Sequence, residues 1–309
     1  MIDFTTLQGL TIPEGVVTQI TDESGRVIWA VANNEPIVLE VEKITSDTYA
    51  GETTYTGEQF ILLDIYPKTN GTVNITYGGL TKTITDTSGA AEPNAQQVYF
   101  GTFNGVTDSV ETPASGTLTI EGDCYAFGIG YYSFSNKMSY YCPCICSVSD
   151  FGKVSRIPGN GFSSSLYPSS VGAKFNQIDI KIPSTIKSIG YSAFIGCVSL
   201  VNVNLSEGLE TIGAFAFLSC NNLISIKIPK SVTYIETSAF PNIKRVTMLA
   251  STPPEVQILS EENEEYSCFG IISSESFVLE QIIVPKGCGD TYKTTVGWSI
   301  YADYIVEAS

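Results

Sequence analysis

The chain contains no histidine. Without imidazole there is no Ser-His-Asp or Cys-His nucleophilic site, and the commonest general base and zinc ligand are missing. Cations are scarce too: 16 Lys and Arg stand against 32 Asp and Glu, a formal charge of −16. Nucleic-acid binders use basic patches to displace counterions from phosphates. The balance here argues against nucleic acid and anionic membrane surfaces as partners. No apolar run reaches the ~18 residues of a membrane span, so no membrane insertion is predicted. The opening stretch, MIDFTTLQGLTIPEG, lacks the basic and apolar regions of a secretory signal. Without an export signal, the eight Cys are expected as free thiols.

What the chain holds in quantity suits strands and turns rather than helices: 17 Tyr, 27 Gly and much Thr, Ser, Val and Ile. A mainly β fold in three parts is predicted. Residues 1–34 form a short attachment segment, in which GVVTQITDESGRVIWAV reads as two β runs around a DESG turn. A lone hairpin is marginal in water, so this β docking segment is expected to rest on a neighbouring part of the chain or on a partner chain.

Residues 35–135 hold about seven short strand candidates, among them PIVLEVEKI, EQFILLDIYP, TVNITYGG and GTLTIEGD. Turn signals such as TNGT and TPASG separate them, which suggests an immunoglobulin-like β-sandwich. Asn70 and Asn74 lie in glycosylation sequons, which matter only on a secretory route.

Residues 136–309 carry an internal repeat. Phe194, Phe217 and Phe240 recur at one constant interval, and Ala193, Ala216 and Ala239 keep the same step, as do Ile189, Ile212 and Ile235. A fixed period in the twenties indicates a solenoid of stacked units. Each unit contains L-x-x-[IV]-x-[IL], as in LVNVNL and LISIKI, which turns alternate residues inward on a short strand. The return stretch P-x-x-[IV]-x-x-I-x-x-x-A-F brings one Phe per coil into the same internal slot.

The segment IKIPSTIKSIGYSAFIGCVSLVNVNL resembles the BspA-like leucine-rich repeat of bacterial surface antigens. The resemblance covers residues 177–284 and implies a binding module. IIVPKGCGDTYKTTVGWSIYADYIVE resembles the closing segment of such arrays, with Asp290 as the cap of a short helix and Tyr292, Trp298 and Tyr301 over the open end. Residues 255–277, including the acidic run SEENEEY, depart from the pattern. The opening segment MIDFTTLQGLTIPEGVVTQITDESGRVIWAV resembles structural proteins from tailed phages of gut bacteria.

Candidate binding residues are those between the inward positions on the predicted concave sheet. One column is Asp179, Asn202, Ser225, Arg245 and Gln281; the next is Lys181, Asn204, Lys227, Thr247 and Ile283. Lys181, Lys227 and Arg245 make this face locally basic and suit an anionic or polyhydroxylated partner, a host-surface glycan or a protein. An ordinary solvated sheet face is the bland alternative.

CPCIC (Cys142, Cys144, Cys146) with Cys124 could supply four thiolates. C-x-C-x-C is not a zinc knuckle, and Pro143 disfavours a regular central strand, so no metal and no cofactor are expected. Cys197 and Cys220 read as small apolar repeat residues. Glu207, Glu210, Glu236, Asp64 and Asp86 are carboxylates, but no spacing singles out the pair that glycoside cleavage needs, so no catalytic residues and no enzyme activity are expected. DESG lacks calcium-loop ligand alternation, and no Gly-rich phosphate motif stands between strand and helix.

These signals lead to a non-enzymatic virion protein, a fibre or decoration component held by residues 1–34 to other virion proteins and displaying the solenoid to a host surface. The alternatives are a bacterial cell-surface adhesin, a glycan depolymerase and a structural spacer. A homo-oligomer stays open, since no coiled coil or collagen-like stretch specifies one.

Overall fold

The computed structural model describes residues 19–21, 27–30, 36–43, 60–90, 94–103, 106–107, 116–129, 144–163, 174–175, 178–261, 264–271 and 278–309. The chain divides into two compact units, Met1–Glu35 and Pro36–Ser309. In the first, Gln19–Thr21 pairs antiparallel with Val27–Ala30, with Ile20 opposite Trp29. The DESG turn lies outside the described residues.

The second unit begins with a β-sandwich. One antiparallel sheet takes the order Cys124–Ile129, Phe60–Pro67, Gln96–Phe103, Val106–Thr107. The facing sheet runs Lys174–Phe175, Cys144–Phe151, Ile37–Lys43, Gly116–Gly122, Thr72–Tyr77, Leu80–Thr85. Alternation decides what each strand buries. Ile61, Leu63 and Ile65 point into the same core as Val73, Ile75, Leu118 and Ile120. Tyr77 from one sheet meets Phe100 from the other edge-on at 5.8 Å. Both sequon asparagines serve this domain. Asn70 takes the left-handed turn position (φ 55°), and its N–H donates to Asp86, while Asn74 accepts from Thr83 across a hairpin.

The predicted boundary at residue 135 differs from the structure. The sandwich draws two further strands from beyond it, Cys144–Phe151 and Lys174–Phe175. A bulge between Val148 and Asp150 shifts the alternation, so Val148 and Phe151 both face inward. A central strand forms despite the expectation drawn from Pro143: it starts at Cys144, and Pro143 itself lies outside the described residues.

From Arg156 the chain coils. On one side, short parallel strands stack in the order Arg156–Ile157, Ser188–Ile189, Thr211–Ile212, Tyr234–Ile235, Glu255–Val256. On the other side lie Asp179–Ile182 and Asn202–Leu205 as one pair, then Ser225–Ile228, Arg245–Met248, Gln281–Val284 and Ile305–Glu307 as a four-stranded parallel sheet.

Between the two sides runs the ladder of phenylalanines. Phe162, Phe194, Phe217 and Phe240 stack nearly parallel, with centroid steps of 5.4, 5.2 and 5.0 Å. Each is fully or almost fully buried, and such a ring contributes roughly 1.5–3 kcal/mol by burial. The backbone follows the same step: the N–H groups of Phe162, Phe194, Phe217 and Phe240 donate to the carbonyls of Ala193, Ala216, Ala239 and Cys268.

That last bond locates a further coil inside the region that departs from the repeat. YSCFGI (266–271) replaces YSAFIG (191–196), with Phe269 in the ladder position. The intervening antiparallel hairpin, Leu259–Glu261 with Glu264–Ser267, accounts for the broken spacing. The acidic run is therefore an insertion at a coil corner. Phe162 extends the ladder in the other direction, separated from Phe194 by more chain than one regular period.

Both ends of the stack are covered. Phe127 and Phe151 of the sandwich both pack edge-on against Phe162, at 5.5 and 6.1 Å, so the sandwich closes the first coil. The Gly289–Thr294 helix and the Ser299–Tyr304 3-10 turn close the last, with Tyr292, Trp298 and Tyr301 wholly buried. Phe269 meets Tyr301 at 5.1 Å, and Trp298 donates its indole N–H to the Pro254 carbonyl at 2.7 Å. Asp290 sits inside the first helical turn and is not the cap. Cys288 occupies that position without a side-chain bond, and Glu307 supplies the carboxylate, accepting from the N–H groups of Gly287 and Gly289 at 2.9 and 2.8 Å. These two bonds hold the Glu307 carboxyl below its ordinary pKa.

Candidate functional site: the outer face of the solenoid sheet

The L-x-x-[IV]-x-[IL] strands bury their aliphatic positions and turn the intervening ones outward. The four-residue strands from Asp179, Asn202 and Ser225 alternate exposed and buried in step. In register, Asp179 stands beside Asn202 and Lys181 beside Asn204. Ser225, Arg245 and Gln281 align, as do Lys227, Thr247 and Ile283. The columns read from the sequence are thus assembled, in two groups. Asn202–Leu205 and Ser225–Ile228 lie side by side but belong to separate hydrogen-bonded sheets.

Within the columns, Asn202 donates to the Asp179 carboxylate at 2.5 Å. Lys181, Lys227 and Arg245 are exposed, and none forms an ion pair among the described residues. Thr247, Gln281 and Ile283 are only half-exposed, so the open part of the face runs from Asp179 to Arg245. Sequence reasoning missed a third column. Ile178, Val201 and Ile224, again spaced at the repeat interval, are 61%, 38% and 43% exposed. The column ends at Lys244, which pairs with Glu280 at 3.2 Å. The repeat spacing was the signal for it. The face therefore combines an aliphatic rim with a strip of cations, amides and hydroxyls.

The remaining candidate carboxylates have partners within the fold. Glu207 accepts from the N–H groups of Lys230 and Ser231, Glu236 from Ala214, and Asp86 from Asn70 and Ser88. Glu210 approaches Lys187 at 3.8 Å, and Asp64 bonds Gln97 at 3.0 Å. Partial burial pushes the Asp64 carboxyl up, whereas the Ser88 hydroxyl and the Asn70 N–H pull Asp86 down.

Cys197 and Cys220 are buried and donate to the carbonyls of Phe162 and Phe194 at 3.1 Å, each one coil back. Cys124 is buried, and desolvation pushes its thiol up to about 12. It lies in the sheet opposite Cys144 and Cys146, whose side chains lie outside the description, as does Cys142 entirely. Among the described residues no three His, Cys, Asp or Glu stand close enough to hold a metal.

The corners of the coils show one irregularity. Asn160, Ser192, Phe215 and Ser238 occupy equivalent left-handed positions, with φ of 56, 52, 58 and 49°. Small polar residues tolerate that region better than a bulky aromatic. A strained residue of this kind costs on the order of 1–3 kcal/mol. The Phe215 ring lies edge-on to Tyr191 at 5.7 Å, a contact that contributes about 0.5–1.5 kcal/mol.

These features define a mainly β chain in which a sandwich-capped solenoid displays a sheet face. Residues 168–282 match the family model described as BspA type leucine rich repeat region, in 6 copies, so this segment carries BspA-type leucine-rich repeats. The match lies wholly outside residues 1–34. Among solved structures, the chain is similar to a leucine rich cell surface protein from Faecalibacterium prausnitzii A2-165, at 22% identity and a TM-score of 0.32. That alignment covers 52% of this chain and 35% of the other, so the chain spans well under two thirds of its relative. No curated protein matches the chain.

Proposed function

We propose that this chain is a non-enzymatic surface-binding module of the bacterial adhesin type, which engages an anionic ligand on a cell or matrix surface through the outer face of its solenoid sheet. The observation that carries this reading is the strip of Lys181, Lys227 and Arg245, exposed on one face of a chain whose formal charge is −16. Such faces are the binding surfaces of repeat proteins, and a basic strip on an acidic body both recruits and orients an anionic partner. The BspA-type repeats support the same reading.

The test is adhesion of the purified chain to bacterial cells, epithelial cells and immobilised matrix. The triple variant K181E/K227E/R245E is expected to lose adhesion while keeping its melting temperature, and the wild-type signal is expected to fall with added salt. Adhesion by the triple variant equal to wild type would overturn the assignment of this face.

A second reading, a phage virion component, rests on one observation: residues 1–35 form a unit of their own with a paired hairpin, as an attachment segment would. In that case the same face meets the host surface. Immunogold electron microscopy with antibodies to the solenoid separates the two readings. Label on cell envelopes supports the adhesin, and label on purified particles supports the virion component.

A further inference from the structure

We infer that the coil corner around Tyr191 and Phe215 is a second binding site, separate from the sheet face, that takes a neutral sugar ring of a surface glycan. The argument starts from a local contradiction. At the left-handed corner position, three of four coils use Asn or Ser, and one uses Phe. The Phe215 ring is not deployed in the core. It remains half-exposed and stands perpendicular to Tyr191, which is 55% exposed, at an interplanar angle of 81°. A strained aromatic that stays outside the core, only partly buried, stabilises the fold less than the serine its sister coils carry, so its ring has another use.

The surroundings specify that use. Beside the aromatic pair runs a column of equivalent residues, Gly190, Gly213, Glu236 and Gln257, whose N–H groups donate in turn to Ile157, Ile189, Ile212 and Ile235. The first two positions admit no side chain, because a Cβ on Gly190 would meet Gly159 N at 2.5 Å and one on Gly213 would meet Gly190 C at 2.7 Å. The next two are polar. Glu236 uses one carboxylate oxygen on the Ala214 N–H at 2.8 Å, and Gln257 uses its amide oxygen on the Thr237 N–H at 3.3 Å. That leaves the second carboxylate oxygen and the amide NH2 for hydroxyl groups. Thr237, whose carbonyl accepts from Phe215, also carries a buried hydroxyl oxygen without a partner among the described residues. An aromatic surface beside one carboxylate and one amide matches a pyranose, which presents an apolar C–H face and a rim of hydroxyls. No cation is among these groups, so the site selects a neutral sugar where the sheet face selects an anion.

Affinity electrophoresis in native gels containing soluble β-glucan, galactomannan or yeast mannan tests this, with melting temperature as a second readout. The informative variant is Phe215→Ser, which installs the residue of the sister coils. It is expected to melt at the wild-type temperature or above it and to bind the retarding polysaccharide about tenfold more weakly, as is Tyr191→Ala. The K181E/K227E/R245E variant is expected to be retarded like wild type, which separates this site from the sheet face. Wild type that none of the three polysaccharides retards overturns the inference. So does Phe215→Ser that melts lower, since Phe215 is then a structural residue, and so does binding of a proline-rich peptide in place of the glycans.

Discussion

The sandwich and the solenoid bury the same kinds of side chain in one continuous core, yet they obtain their order differently. In the sandwich, strands distant in sequence must meet: Ile37–Lys43 lies between Gly116–Gly122 and Cys144–Phe151. In the solenoid, each coil needs only its neighbours, and a slot filled once is filled again one period later. The first arrangement spreads the consequence of a substitution over two sheets. The second concentrates it along a column, so stability there is a sum over coils and the interfaces between them.

The largest expected effect tests that column. Phe217→Ala, in mid-ladder between rings at 5.2 and 5.0 Å, should cost about 3–5 kcal/mol in denaturant unfolding. Combined with Phe194→Ala it should be non-additive, because the two share an interface. Combined with a sandwich substitution it should add. Equal additivity in both pairs would erase the distinction. Gly213→Ala should cost about 1–3 kcal/mol, since its Cβ would press on the backbone of the coil before it. A melting temperature unchanged by that substitution would show that the coils can slide apart. In the sandwich, Ile75→Val should cost only about 0.5–1.5 kcal/mol by the same unfolding measurement.

The smallest effect lies at the cap. Glu307 has a folded pKa below its ordinary value near 4.5. Its contribution is therefore fully present above that value and is lost as pH falls through the depressed one. Glu307→Gln should lower the melting temperature slightly at pH 7, and the gap from wild type should close in acid. A gap that persists at low pH would assign the effect to the substituted amide and not to the charge.

How much of this was legible in the sequence follows from the same contrast. Where the period is unbroken, from Ile182 to Phe240, inward and outward positions and even cross-strand register could be read directly. Where an insertion breaks it, the repeat disappeared from view. Cys268 and Phe269 carry the Ala-Phe slot of Ala239 and Phe240 at a longer interval than the period, although YSCFGI beside YSAFIG was signal enough. Phe162 was hidden because its coil detours through the sandwich edge at Lys174–Phe175. The strand Cys144–Phe151 was masked by its cysteines and by a bulge that breaks the alternation a half-buried strand should show. The sheet-face columns emerged from periodicity, whereas Tyr191 with Phe215 required a backbone angle, which composition does not report.

The two covers of the stack have a consequence for how many molecules can join. A parallel coil array has an unpaired row of backbone groups and a bare ring at each terminus, and such termini invite a second molecule to continue the array. Here the sandwich rings Phe127 and Phe151 occupy one terminus, and Tyr292, Trp298 and Tyr301 occupy the other. The aromatic end of the ladder is thereby covered by the chain itself on both sides, and a second copy finds no bare ring there to stack on.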